Sequence, residues 1–280
     1  MTETLKSTLT KARKRLEASS DSPQLDAEIL LGKVLQANRA VLYANPDQLI
    51  TDNQAGAFEQ LIAQRCSGKP VAHLTGVREF WSLELKVTPD VLVPRPETEL
   101  LVERALIHIP NPGSCELADL GCGSGAIAIA IALERPDCKI TATDSSQAAL
   151  NIAKENADKY CPGRIQFCKG NWLEPLEDRR FNIIVSNPPY VSSQQTQLTD
   201  PELKYEPQQA LYSGTDGLND IRQLIEKAPA CLQKDGYLLL EHGFDQADTI
   251  AELLKLAGFV NINMHQDLAG QPRITEAQHL

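Results

Sequence analysis

The chain reads as an α/β protein: a doubly wound, seven-stranded Rossmann-like sheet with a small N-terminal all-helical domain, joined by a β-hairpin linker. Three observations predict this. Glu116-Leu117-Ala118-Asp119-Leu120 runs into Gly121-Cys122-Gly123-Ser124-Gly125 and then an apolar helical stretch. That is the strand, glycine turn and helix of a ligand-binding crossover. From there short strand-like runs alternate with helical patterns, whereas residues 1–75 hold only helical spacing. The resulting divisions are 1–75, a linker at 76–96, and 97–280.

Length and composition agree. The 280 residues suffice for one large core and a smaller domain. Hydrophobic content of 42% and charged content of 23% are ordinary for a globular protein. A formal net charge of -10 argues against a partner held mainly through phosphates, so no direct nucleic-acid partner is expected. No apolar run approaches membrane-spanning length and the first residues lack a signal-peptide core, so the expected location is cytoplasmic. The seven cysteines form no C-x-x-C pair and no ligand pattern with the histidines. Reduced, mostly buried thiols are expected, and no metal.

Taken in order, Leu5, Leu9, Ala12 and Leu16 share a helical face, and Ser22-Pro23 opens a second helix with Leu25, Ile29, Leu30 and Val34. Asn38 to Tyr43 makes a short helical turn, and Asp52 caps another helix carrying Phe58, Leu61 and Ile62. This domain holds no catalytic constellation; its role is packing or the gripping of a macromolecular substrate. In the linker, Glu79 to Val87 alternates as a strand, Thr88-Pro89-Asp90 turns, and Val91-Leu92-Val93 returns. Pro94-Arg95-Pro96-Glu97 braces the entry to a helix that runs to about His108.

Beyond the glycine turn, Lys139 to Asp144 is the second strand, and Ile165 to Cys168 the third, ending at Gly170-Asn171-Trp172. Phe181 to Val185 is the fourth. Gly236 to Glu241, Phe259 to Met264 and Arg273 to Gln278 supply the rest, with helices near Leu218 to Leu232 and Asp245 to Leu256. The glycine spacing is G-x-G-x-G, not the G-x-G-x-x-G of a dinucleotide site. Asp119 would repel a pyrophosphate but attract an ammonium, which fits S-adenosyl-L-methionine better than a nicotinamide dinucleotide. Asp144 lies where a carboxylate accepts ribose hydroxyls, or caps the helix from Ser145 to Asn156. Asn171 suits an adenine edge; Trp172 either covers the adenine face or packs into the core.

The fourth strand ends in Ser186-Asn187-Pro188-Pro189-Tyr190. Asn187 precedes a proline and is pushed toward extended geometry, and two successive prolines fix two φ angles. The corner offers acceptors (the Asn187 carboxamide and the carbonyls of Asn187, Pro188 and Pro189) beside a flat ring, which suits a planar NH2 group. The plainer reading is a strand followed by a proline-rich turn, with Tyr190 a core aromatic.

The glycine loop, Asp144 and NPPY, in this order, resemble class I S-adenosylmethionine-dependent methyltransferases that act on planar nitrogens. With PRPETE, GVREFWSL and the helical domain before NPPY, and LLLEHG after it, the chain is similar to the bacterial protein-glutamine N-methyltransferases of the HemK/PrmC type. The similarity covers nearly the whole chain, whereas NPPY alone is shared with DNA adenine methyltransferases. The resemblance implies methylation of the glutamine side-chain amide in the Gly-Gly-Gln motif of class I peptide chain release factors. It implies cofactor binding by Gly121 to Gly125, Asp144 and Trp172, with Asp119, Asn171 and Asn187 beside them. Substrate would lie on Asn187, Pro188, Pro189 and Tyr190. Asn171 stands where an acidic residue often precedes the tryptophan.

In that chemistry an amide nitrogen is a weak nucleophile because its lone pair is delocalised. Asn187 Oδ1 and the Pro188 carbonyl would hold both amide hydrogens and aim the nitrogen, while Tyr190 packs on the amide plane. These three are the expected catalytic residues. No carboxylate or histidine adjoins NPPY in sequence, so the proton is expected to leave after transfer. Three other readings stay open: an adenine methyltransferase with the base stacked on Tyr190, a silent cofactor-binding scaffold, and, remotely, a nicotinamide oxidoreductase.

Overall fold

A computed structural model describes residues 3–110, 113–194 and 201–280. Residues 1–2 of the expected helical domain, and 111–112 and 195–200 of the expected C-terminal domain, lie outside them. The chain forms two compact units: Met1–Val77 with Leu198–Tyr205, and Arg78–Gln197 with Glu206–Leu280.

The first unit carries α1 (Leu5–Leu16), α2 (Pro23–Leu35), α3 (Arg39–Ala44), α4 (Asp52–Cys66) and α5 (Val71–Thr75). Its core follows the helical spacing: Leu5, Ala12 and Leu16 of α1 meet Leu30 and Leu31 of α2 and Phe58 and Ile62 of α4. The cap of α4 is Thr51, not Asp52. Thr51 Oγ1 accepts from the Gln54 amide at 3.3 Å while Gln54 Oε1 accepts from the Thr51 amide at 2.9 Å. This reciprocal pair outcompetes a lone carboxylate. The five-residue α5 is too short to show a period and was not expected from the sequence. Buried Arg65 is held by Asp26 at 2.7 Å and by Glu202 at 2.7 Å.

The second unit opens with β1 (Val77–Phe80) and β2 (Leu83–Lys86), which pair as a two-stranded sheet. The hairpin turns at Trp81-Ser82, so Val91–Val93 is not its return strand. Both turn residues have positive φ, 52° and 58°, without the glycine or asparagine that normally marks such a turn. Carboxylates hold it instead: Glu99 accepts from the Trp81 amide and Glu79 from the Ser82 amide, each at 2.8 Å.

Then come α6 (Thr98–His108), β3 (Cys115–Leu120), α7 (Ala126–Glu134), β4 (Cys138–Asp144), α8 (Gln147–Tyr160), β5 (Ile165–Lys169) and β6 (Phe181–Ser186). α9 (Asn219–Cys231), β7 (Leu232–Glu241), α10 (Ala247–Leu256), β8 (Val260–Gln266) and β9 (Pro272–Gln278) complete the unit. The seven strands lie in the order β5-β4-β3-β6-β7-β9-β8. β3 to β7 run parallel, and β9 is antiparallel to both its neighbours. The fold is therefore the doubly wound sheet with a helical N-terminal region. Alternation along the strands makes two cores. Leu117, Ile183, Val185 and Leu239 face α6, α7 and α8; Ala118, Leu120, Ile184, Leu238 and Leu240 face α9 and α10. Among the described residues no helix is long and apolar enough to cross a membrane. All seven cysteines are free and five are buried.

At the antiparallel edge, Glu276 of β9 is almost fully buried and takes both Arg104 nitrogens at 3.0 and 3.1 Å. His108 lies 3.1 Å away and His265 3.3 Å. Burial alone would raise this carboxyl, but the contacts to His108 and Arg104 outweigh it and hold the group at about 2. Glu276→Ala should destabilise the fold by about 2–4 kcal/mol, because a partly buried guanidinium loses its partner. Urea titration at neutral pH measures it.

Candidate functional site

The sheet places the site. β3 and β6 are neighbours where the strand order reverses, with β4 and β5 to one side and β7 to the other. Leu120 pairs with Ser186 in register, and the Ser186 hydroxyl donates to the Leu120 carbonyl at 2.8 Å. Gly121 and Asn187, the next residue on each strand, therefore leave the sheet side by side, about 5 Å apart in the strand-to-strand direction. The register of β3 on β6 thus brings the glycine turn and the proline corner together.

In the turn, Gly121, Gly123 and Gly125 have φ of 72°, 54° and 82°, values that L side chains adopt at a cost. The amides of Gly121 and Cys122 both donate to the Thr143 carbonyl at 2.9 Å, which folds the turn back over β4. A Cβ on Gly121 would sit 2.7 Å from Trp172 Cζ3. Trp172 itself has a φ of 50°, and its Nε1 donates to Asp220 at 3.1 Å. The ring therefore lies fixed against the turn.

Asp144 does not cap α8; it joins two segments of the site. Oδ2 accepts from the Gly123 amide at 2.9 Å and Oδ1 from the Ser146 amide at 2.8 Å, tying the glycine turn to the start of α8. Burial raises the carboxyl; these two amides offset part of the rise. Two of its four acceptor positions remain for hydroxyl donors. The N-cap of α8 is Ser146, which accepts from the Ala149 amide.

Asp119 is completely buried. Its Oδ2 accepts from the Ala128 amide at 3.1 Å, and its Oδ1 has no protein partner. Burial lifts the carboxyl to about 7; the Ala128 amide lowers it, and the charge of Asp144 adds to the rise. An orphaned acidic oxygen next to a glycine turn fits the ammonium end of an amino-acid group, so the residues present suit S-adenosylmethionine. A carboxyl raised on folding supports the fold fully below its ordinary value, and this support is lost as pH rises through the raised one. Thermal stability should therefore decline between about pH 4 and pH 7, and Asp119→Asn should flatten the decline while weakening cofactor binding. Melting scans across pH with cofactor titrations measure both.

A single cleft is walled by Gly121, Cys122, Gly123, Ser124, Asp144, Asn171, Trp172, Asn187 and Pro189. Gly125, the cap residue of α7, lies outside that wall, as do Asp119, Pro188 and Tyr190. Asn187 Nδ2 donates to Thr98 Oγ1 at 3.1 Å, and Asn187 Oδ1 is buried with no protein donor. Tyr190 packs against the α9–α10 core, and burial, with the charge of Glu241, pushes its hydroxyl up to about 12. Its carbonyl accepts from Gln246 Nε2 at 3.1 Å, and a Cβ on Gly217 would lie 2.3 Å from that oxygen.

Several contributors were not singled out from the sequence. Asp90, Val91, Leu92, Pro94 and Thr98 line the cleft, so the segment read as linker is part of its wall. Arg95 pairs with fully buried Glu206, which also accepts from the Val93 amide at 3.0 Å; Arg95 therefore braces this segment. Thr98 lies inside PRPETE and Glu241 inside LLLEHG, where each reads as a helix-start or strand-end residue. Asp220 and Gln246 carry no signal separable from acidic or polar helix starts.

Comparison with known proteins bears on this geometry. Residues 7–76 match the PrmC N-terminal domain, and residues 97–255 match the methyltransferase small domain. The chain is 46% identical over 264 residues to the release factor glutamine methyltransferase of Coxiella burnetii, covering 94% of this chain and 95% of that one. It is 41% identical to the protein of the same name from Escherichia coli K12, covering 95% and 96%. Among solved structures, a methyltransferase from Pyrococcus furiosus shares the fold, with a TM-score of 0.54 at 18% identity over 79% of this chain and 96% of that one.

Proposed function

The chain belongs to the release factor glutamine methyltransferase family, and from that premise we propose that it moves a methyl group from S-adenosyl-L-methionine to the glutamine side-chain amide in the Gly-Gly-Gln motif of class I peptide chain release factors. The observation that carries this reading is the register of Leu120 on Ser186, which sets the glycine turn and the Asn187 corner at one cleft. The cofactor supplies a sulfonium-activated methyl group, so no metal is needed.

The chain's own residues bind and orient. The Gly121–Gly125 turn exposes backbone to the cofactor, with Cys122 and Ser124 completing its wall. Asp119 takes the ammonium and Asp144 the ribose hydroxyls. Asn171 and Trp172 border the adenine, and Asn187 stands between cofactor and substrate. On the substrate side, Asn187 Oδ1 and the Pro188 carbonyl accept the two amide hydrogens. Pro189 closes the cleft, and Tyr190 fixes the corner from its core side. Holding both hydrogens turns the nitrogen lone pair toward the incoming carbon and removes the entropy of orienting it.

Mass spectrometry of a class I release factor incubated with enzyme and cofactor tests the reading. One added methyl on the Gly-Gly-Gln glutamine is expected. An unmodified factor, or transfer to an adenine in an oligonucleotide, would contradict it.

A further inference from the structure

Asn187 reads substrate through an oxygen, yet a carboxamide has two nearly isosteric orientations, and packing alone does not choose between O and NH2. Its partners decide. Nδ2 donates to Thr98 Oγ1 at 3.1 Å, and Thr98 is almost fully buried. The Glu241 carboxylate, also almost fully buried, lies against both Thr98 and Asn187, whose polar side chains favour its charged form. An ionised carboxylate only accepts. The Thr98 hydroxyl proton therefore points to Glu241, and the Thr98 lone pair faces Asn187. Nδ2 is thus engaged on this side, and Oδ1 remains with no protein donor.

We propose that Thr98 and Glu241 are positioning residues that fix which end of the Asn187 carboxamide meets the substrate amide. The inference rests on the reading of Asn187 given above and extends it from the corner to α6 and β7. It explains a costly feature. Glu241 sits without solvent at the end of a central strand, with one oxygen, Oε2, unpartnered. The charged and titratable groups around it are Arg273 of β9, Glu97 at the start of α6, and Tyr190 of the corner. Burial raises Glu241 to about 7, against the neighbouring polar groups of Thr98 and Asn187 and the charge of Arg273, which lower it. Protonation gives this carboxyl a hydrogen to donate and removes the one-way order of the chain.

The test compares Thr98→Val, Thr98→Ser and Glu241→Gln in the full chain. It reads single-turnover methyl transfer to a class I release factor, cofactor Kd by calorimetry, and the melting temperature. Thr98→Val, isosteric but without an acceptor, should lower the transfer rate on the order of 10²-fold with unchanged cofactor Kd. Thr98→Ser, which restores the hydroxyl, should recover most of the rate. At saturating cofactor the wild-type rate should rise with pH through the Glu241 ionisation, and Glu241→Gln should be slow and flat over that range. A Thr98→Val protein as fast as wild type, or one no slower than Thr98→Ser, would overturn the proposal. A wild-type protein that leaves the release factor unmodified would instead sink the functional reading, and this inference with it.

Discussion

Replacing Asn187 with alanine is expected to slow methyl transfer to a release-factor glutamine by about 10²- to 10³-fold, with a far smaller change in cofactor affinity. The asymmetry follows from the position of the residue. Asn187 leaves β6 beside Gly121, but the turn's own bonds run to the Thr143 carbonyl and to Asp144. Removing the carboxamide therefore leaves the cofactor wall standing and deletes one of two acceptors that aim the substrate nitrogen. The amide nitrogen has almost no intrinsic nucleophilicity, so lost orientation appears in turnover rather than in binding. Calorimetric titration of cofactor alongside single-turnover kinetics separates the two; equal losses in both would contradict the assigned role.

Gly121→Ala is expected to produce the opposite split. The new Cβ would stand 2.7 Å from Trp172 Cζ3 at a φ of 72°, so backbone strain and overlap with a ring act together. Trp172 does not yield freely, because its indole nitrogen is bonded to Asp220 and its carbonyl accepts from Thr143 Oγ1 at 3.0 Å. A stability loss of about 1–3 kcal/mol is expected. Cofactor affinity should fall at least tenfold, because the turn and the ring wall the same cleft. Removing the ring as well should relieve the overlap: the Gly121→Ala, Trp172→Ala pair should cost less than the sum of the single changes. Strict additivity would show that the ring and the turn do not press on each other.

The parts of this site that were legible in the sequence are those where backbone chemistry is local. A G-x-G-x-G run after an apolar strand, an aspartate at the end of the next strand, and a proline pair after a buried strand each have one or two structural outcomes. In the structure Gly121, Asp144, Trp172 and Asn187 all border one cleft. The strands of the sheet were legible as short strand-like runs alternating with helical patterns. What escaped was specified by side chains distant in the chain. Trp81 and Ser82 turn a hairpin with unfavourable φ because Glu99 and Glu79 satisfy their amides. Thr98 meets Asn187 across 89 positions, a pairing that no local pattern encodes. For Tyr190 the sequence offers two readings, a ring for the substrate or a core aromatic; it packs on the α9–α10 core and is not in the cleft wall. A single aromatic after two prolines gives no sign of which face it will choose.

The most direct test of the central geometry is a structure of the enzyme with a release factor and a cofactor product. The glutamine amide nitrogen is predicted within hydrogen-bonding reach, about 3 Å, of Asn187 Oδ1, with the cofactor sulfur on the glycine-turn side of that nitrogen. A glutamine amide bound elsewhere, with Asn187 Oδ1 still lacking a donor, would contradict the account.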